Sequence, residues 1–367
     1  MKNFLNKALL YKEWKDGKWA MLIFFMIQFF TITSSFLNSM DRMMWDINHN
    51  HLAENILNNN EKYYNIFWGL FGGSSIVLLI IIVITISFII MGSDRNNNFE
   101  YLSTMPFSRE EIINTKFFIG KLTIAVPTLI NFAIISFSYF KNLPVVNAYI
   151  KANSLPAFFD YSIILKWFLL NFLVYIFVFA LLMLMHSICG NAYAATLLGT
   201  IALVFPGGIL HLIWEFIRIN MGSNFSFQKY QWLQVIQSKI IKWLTLALYG
   251  QMDYNGSEIA SYSNFGLKCI ILVVVIIILY FATKYLFKKN NFERTGNILM
   301  FKILEPVLKY GSAICFGLFI ACIAPNFIYR NYEYYLLKEI ILSDICFVVF
   351  SIVFYFTTSK LIKSFRN

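Results

Sequence analysis

Long apolar runs alternate with short basic or asparagine-rich stretches along the whole chain. Runs at about 19–39, 66–91, 117–140, 163–187, 192–217, 266–287, 306–328 and 340–359 each reach the roughly 18 residues that a helix needs to cross a bilayer. They predict an all-α polytopic membrane protein with about eight transmembrane helices. A short, loosely amphipathic segment, Phe4 to Trp14, precedes the first run. That first run is too long for the apolar core of a signal peptide, and no small-x-small cleavage site follows it. Polar loops are expected at 40–64 and at 141–161, the latter with Pro144 and Pro156. Pro127 falls inside the third run, where neighbouring helices can accommodate it. Gly190-Asn191 marks a tight turn between the fourth and fifth runs, and Pro206-Gly207-Gly208 is expected to break the fifth.

One stretch has a different period. Between Phe225 and Tyr249, the residues Trp232, Leu233, Ile236, Ile240, Trp243 and Leu244 share one face of a helix. Gln228, Gln231, Gln234, Ser238 and Lys242 share the other. Two tryptophans on the apolar face suit the headgroup boundary, which predicts a helix lying in the outer interface. The alternative is a ninth span, which the polar face disfavours.

Composition agrees with the pattern. The chain is 59% hydrophobic and only 13% charged, too few charges to cover a water-exposed surface. The net charge of +11 does not indicate nucleic acid, because the cations crowd against the ends of apolar runs. They cluster at Lys2, Lys7, Lys12, Lys15 and Lys18, at Lys284, Lys288, Lys289, Arg294 and Lys302, and at Lys360, Lys363 and Arg366. This is the distribution that the positive-inside rule and anionic lipid produce, and it places both termini on the cytoplasmic side.

Chemistry-bearing motifs are scarce. No G-x-x-x-x-G-K-[ST] phosphate loop occurs; Gly120-Lys121 lacks the upstream glycine and the following hydroxyl. ATP hydrolysis therefore belongs to another subunit if it drives this protein, and the chain itself is read as no enzyme. His49, His51, His186 and His211 lack metal-ligand spacing. Cys189, Cys269, Cys315, Cys322 and Cys346 lie in or beside the runs and read as small apolar residues. Glu215, Asp344 and Lys121 fall toward span ends, so the mid-membrane ionisable groups typical of a proton-coupled transporter are scarce, which weighs against a secondary transporter. Gln28, Thr31, Thr33, Thr85, Asn131, Ser136 and Asn171 are neutral polar groups within runs. They serve either helix–helix hydrogen bonding or a substrate path, for which Gln28, Thr31, Thr85, Asn131 and Asn171 are the candidates. Gly69 and Gly73 form a G-x-x-x-G packing motif.

The most informative loop is 92–116, between the second and third runs. Ser108 and Glu111 form an S-x-x-E capping box, and Pro106 biases its predecessor away from helix. A charged-headed helix should start near Arg109 and continue into the third span. Asp94, Glu100-Tyr101-Leu102, Met105-Pro106-Phe107-Ser108-Arg109 and Lys116 resemble the cytoplasmic loop of ABC-2-type transporter permeases, with Asn97 where the family usually has glycine. A second patch, Phe292-Glu293-Arg294-Thr295-Gly296 with Leu299 and Phe301, resembles the bacterial acetoin-utilisation and cell-wall-antibiotic-responsive subgroup.

The resemblance implies an ATP-driven ABC exporter in the bacterial cell membrane. In it two permeases, as homo- or heterodimer, form the pathway, and separate ATPase subunits bind the ATP, so that the permease holds no cofactor. It implies ATPase coupling through Tyr101, Leu102, Pro106, Phe107, Ser108, Arg109, Glu110, Glu111 and Lys116. The organisation expected is a cytoplasmic segment 1–18 and a six-span core 19–287, which contains the coupling loop 92–116 and the external amphipathic region 218–265. A basic loop 288–305 and two added spans with a basic tail, 306–367, complete it. Two other classes stay open: a membrane anchor or sensor without its own pathway, and a membrane-embedded enzyme. The last would need His, Asp, Glu or Ser clustered at membrane depth.

The charge distribution makes the topology testable. Cysteine reporters at Asn97 and Asn291 should be shielded from impermeant reagent in intact cells, while reporters at Asn58 and Asn255 should be labelled. External labelling at Asn97 would invert the topology.

Overall fold

The computed structural model describes residues 6–48, 73–92, 107–152, 161–221, 231–251, 253–255, 258–290, 296–328 and 337–365. Among them seven helices are long and apolar enough to cross a membrane. The protein is an all-α polytopic membrane protein. An eighth apolar helix, Ile76–Gly92, is shorter; the predicted beginning of that span, with Gly69, lies outside the described residues.

The helices are α1 (Lys7–Gln28), α2 (Ser34–Asn48), α3 (Gly73–Ser87), α4 (Arg109–Lys141), α5 (Leu143–Ala152) and α6 (Tyr161–Ile188). They continue as α7 (Ala192–Met221), α8 (Gln231–Leu244), α9 (Phe265–Lys289), α10 (Glu305–Ile328) and α11 (Leu337–Ser364). π-Helical turns at Phe29–Thr33 and Phe88–Gly92 join α1 to α2 and end α3. A small antiparallel hairpin pairs β1 (Asp253–Asn255) with β2 (Glu258–Ser261).

Two expectations are corrected, and one is extended: the amphipathic segment before the first span is helical, for α1 starts at Lys7, capped by Asn6, whose Oδ1 accepts from the Ala8 amide at 2.9 Å, and runs unbroken into the apolar run. Its buried residues Leu9, Glu13, Gly17, Ala20, Phe24 and Gln28 form one continuous stripe. Pro206-Gly207-Gly208 does not break the fifth span, because α7 continues through it to Met221. Leu143–Ala152 in the expected loop is a helix, with Pro144 in its first turn, where a missing amide costs nothing.

The chain divides into two compact units. The first holds residues 1–94, 101–184 and 247–288. Here α1 and α4 lie side by side and run in the same direction. Gly17 lets them approach closely, for a Cβ there would sit 3.1 Å from Ile119 Cγ2 and 3.3 Å from Thr123 Oγ1. Gly120, on α4, receives the ring of Phe179 from α6. Small residues at such contacts are what membrane helices need, since lipid supplies no hydrophobic force to press them together. Aromatic rings fill the remainder, with Phe24 edge-on to Tyr175 and Phe117 edge-on to both Phe179 and Tyr280.

The second unit holds residues 95–100, 185–246 and 289–367. Asn191 caps α7 by accepting from the Tyr193 amide at 2.8 Å. The α7 helix packs against α8, α10 and α11, and a Cβ at Gly207 would collide with Thr245 just beyond α8. The added spans α10 and α11 form a tight hairpin. Ser312 and Thr358 hydroxyls meet at 2.8 Å, Ser343 donates to the Ala321 carbonyl at 3.0 Å, and Phe316 stacks on Phe354.

The amphipathic prediction holds as a helix: α8 has 14 residues, a length of about 21 Å against the roughly 30 Å hydrocarbon core. Val235, Ile236, Ile240 and Leu244 are exposed apolar residues. Ser238, Lys239 and Lys242 are exposed as well. Its described residues fall short of the roughly 20 that a span needs.

The α4–α6 contact generates a stability prediction. Gly120→Ala puts a methyl group against the fully buried Phe179 ring. It should destabilise the detergent-purified protein by about 1–3 kcal/mol, as overpacking does. Gly311→Ala, where a Cβ meets nothing within 4 Å, is the control and should melt like the parent. Equal melting of both variants would show that the close packing is absent in the membrane protein.

Candidate coupling site

The start of α4 has the geometry that its sequence foretells. Ser108 is extended (φ −70, ψ 147), and its Oγ accepts from the Glu111 amide at 3.2 Å. Glu111 Oε2 accepts in return from the Ser108 amide at 2.8 Å and from the Ser108 hydroxyl at 2.9 Å. Both halves of the capping box are thus made, and the helix begins at Arg109. Glu110 and Glu111 place negative charge at the positive end of the helix dipole.

This helix start is held by α9. Arg109 Nη1 donates to the Lys288 carbonyl at 2.9 Å, which satisfies one of the orphan acceptors at the end of α9. Glu110 bridges Lys288 at 3.2 Å through Oε1 and Lys284 at 3.3 Å through Oε2. Lys284 and Lys288 stand one turn apart on α9, so both reach the same carboxylate. One turn further along α4, Asn114 accepts from the Tyr280 hydroxyl at 2.8 Å. The ammonium of Lys121 lies 5.2 Å from the centre of the Tyr280 ring and 5.6 Å from that of Phe117. The α4–α9 seam therefore changes from charged to aromatic with depth.

Phe107, Ser108, Arg109, Glu110 and Glu111 are half-buried and stand together at this end of α4. Tyr101, Leu102 and Pro106, with Asp94 and Met105, lie outside the described residues. Lys116 is placed otherwise than the resemblance implied. It is 1% exposed, and its ammonium donates to Glu13 Oε1 and Oε2 at 2.9 and 3.0 Å and to the Ile90 carbonyl at 2.6 Å. Lys116 is an internal clamp between α1, the end of α3 and α4. It is not a surface contact.

The pathway candidates are mostly consumed in packing. Thr33 donates to Asn131 Oδ1 at 2.6 Å, and Asn131 Nδ2 reaches Gln28 Oε1 at 3.4 Å and the Pro127 carbonyl at 3.0 Å. Asn171 donates to the Trp167 carbonyl and, at 3.2 Å, to Gly250, tying the segment after α8 to α6. Gln28, Asn131 and Asn171 are all essentially inaccessible. Thr31 and Thr85 bond back to their own helices, at Ile27 and Ile81.

Of the second patch, Phe292 to Thr295 lie outside the described residues. Gly296, at φ 99, takes a left-handed conformation suited to glycine, and its amide donates to the Gly190 carbonyl at 3.1 Å. Met300 donates to Ile188, and Leu299 packs with Cys189 and Ala195. This patch closes over the α6–α7 turn. Among the described residues no group of three or more His, Cys, Asp or Glu side chains is arranged for a metal ion.

Glu13, Asn114, Tyr280, Lys284 and Lys288 were not singled out as site residues from sequence. For Glu13 a signal existed, since it is an acid within the i, i+4 stripe that α1 buries.

Membrane-crossing helices in two compact helical units define a multi-pass membrane protein. The chain is 22% identical over 306 residues to the "Probable ABC transporter permease YtrD" of Bacillus subtilis (strain 168), covering 82% of each chain. No family model and no solved structure matches it. The likeness to that relative, together with the spans, supports an ABC transporter permease subunit.

The cap yields a local prediction. Ser108→Ala should cost about 1 kcal/mol at the start of α4. Amides of the first helical turn should then exchange with solvent roughly fivefold faster, while those near Ile135 stay unchanged. Unaltered exchange would mean that the cap does not hold this end.

Proposed function

We propose that this chain is the permease subunit of an ATP-driven exporter in the bacterial cell membrane, related to the acetoin-utilisation and antibiotic-responsive subgroup. It works as a dimer with a second permease, homo- or heteromeric, and is coupled to separate ATPase subunits. Both termini and the start of α4 face the cytoplasm, and α8 lies in the outer interface. The polar groups inside the first unit are taken up in helix packing, so the pathway forms between paired permeases rather than through one bundle.

The observation that carries this reading is the start of α4. It is a capped, charged helix end continuous with a span and tied at its flank to the end of α9. A force applied there by an ATPase cannot be absorbed by fraying, because the cap and the α9 contacts hold the first turn. It is passed on as a rigid-body displacement of α4 and α9 together. Phe107, Arg109 and Glu110, with Tyr101, Leu102 and Pro106, are the docking residues in this scheme.

The test is charge reversal at the docking face. Arg109→Glu should leave insertion and accumulation of the permease intact. In the complex isolated from membranes, stimulated ATP hydrolysis should fall about tenfold, the effect of roughly 1.4 kcal/mol of lost coupling. Phe107→Ala, which removes the neighbouring half-buried ring, should act in the same direction. Full stimulation in both variants would remove the coupling role from this end of α4.

A further inference from the structure

The buried Glu13–Lys116 pair has a geometry that docking does not explain. Both side chains are almost wholly inaccessible, at 2% and 1%. The ammonium donates twice to the carboxylate and once to the Ile90 carbonyl in the π-helical turn that ends α3, and Lys12, beside Glu13 on α1, bridges Glu13 Oε1 at 3.2 Å. Lys116 therefore joins three chain segments at a point about 12 Å along α4 from its capped start.

The pair is also one of two polar keys in the same register. Glu13 meets Lys116, and Gln28 meets Asn131, each across a sequence separation of 103. Between these keys Gly17 faces Ile119 and Thr123 so closely that an added Cβ would lie 3.1 and 3.3 Å from them. Two parallel helices fixed at both ends, with a glycine approach between, cannot slide past each other without separating a buried charge from its partner.

We propose that Glu13 and Lys116 are positioning residues that make α1, the end of α3 and α4 a single lever. A displacement delivered at the start of α4 then moves α1 by the same amount, so the first span is part of the transmission. This rests on the coupling role given to α4 above.

The test uses the full permease complex in nanodiscs, with the five native cysteines replaced by alanine. Spin labels are placed at Tyr11→Cys on α1 and Phe118→Cys on α4, both exposed positions. With Glu13 and Lys116 intact, the distance between labels should be narrow and identical without nucleotide and with trapped ATP. Single variants such as Lys116→Met leave a buried charge and can misfold. The double variant Glu13→Gln with Lys116→Met removes both charges and keeps the fold measurable. In it the distance should broaden without nucleotide and shift with trapped ATP, while ATP hydrolysis continues and transport falls at least tenfold. The swap Glu13→Lys with Lys116→Glu should narrow the distance again and restore part of the transport.

An unchanged distance and full transport in the double variant would overturn the lever, even if Arg109→Glu still abolishes stimulation. Lost transport with a distance as narrow and nucleotide-independent as in the parent would overturn it too. If Arg109→Glu has no effect but the double variant broadens the distance, the coupling reading falls while the clamp itself stands.

Discussion

The parallel pairing of α1 with α4 is the contact on which the first unit depends. In lipid two apolar helices gain little by touching, so their association rests on close backbone approach and on interhelical hydrogen bonds. Gly17 supplies the approach, and Glu13–Lys116 and Gln28–Asn131 supply the bonds. Three further helices of the unit, α3, α6 and α9, are referred to α4. The end of α3 is held through the Ile90 carbonyl, α6 through Phe179 at Gly120, and α9 through Tyr280, Lys284 and Lys288. Buried polar groups of this kind fix register more than they add stability, because the desolvation they require offsets most of their attraction.

The spans were legible in the sequence because one physical requirement, crossing a sheet of hydrocarbon, demands a long apolar run and little else. Helix ends were less legible. Sequence placed the span start near Trp19, and the helix itself begins at Lys7, because an amphipathic turn and a span are both helix and no breaker stands between them. Pro206-Gly207-Gly208 looked like a break, yet neighbours around α7 hold it continuous, and Gly207 serves as the seat for Thr245. At α7 local propensity was overruled by packing.

The site divides in the same way. The capping box at Ser108 and Glu111 depends on four consecutive residues, so the sequence alone sufficed to find it. The partners of α4 are remote in sequence: Arg109 to Lys288, Lys116 to Glu13 and Asn114 to Tyr280 are all non-local. No spacing rule links them. Lys116 was grouped with the docking residues because it follows them in the loop motif. Ile112 to Phe117 form an uninterrupted buried stretch, however, and carry Lys116 into the interior. Only the buried stripe of α1, with an acid among small and apolar residues, hinted that a cation had to be waiting opposite.

An ionised pair at this position, where Gln and Asn suffice fifteen residues further on, has a physical consequence. A neutral amide displaced by one helical turn can find another carbonyl or hydroxyl, and the loss is of the order of one ordinary hydrogen bond, about 1 kcal/mol. A buried carboxylate and ammonium displaced by the same turn lose each other; Lys12 stays beside Glu13 on α1, but removing one partner of a buried pair still costs several kcal/mol. The charged key stands two turns from the capped start of α4, which is where the proposed coupling would deliver its push. The neutral key at Gln28 and Asn131 lies deeper, where the helices have only to stay aligned.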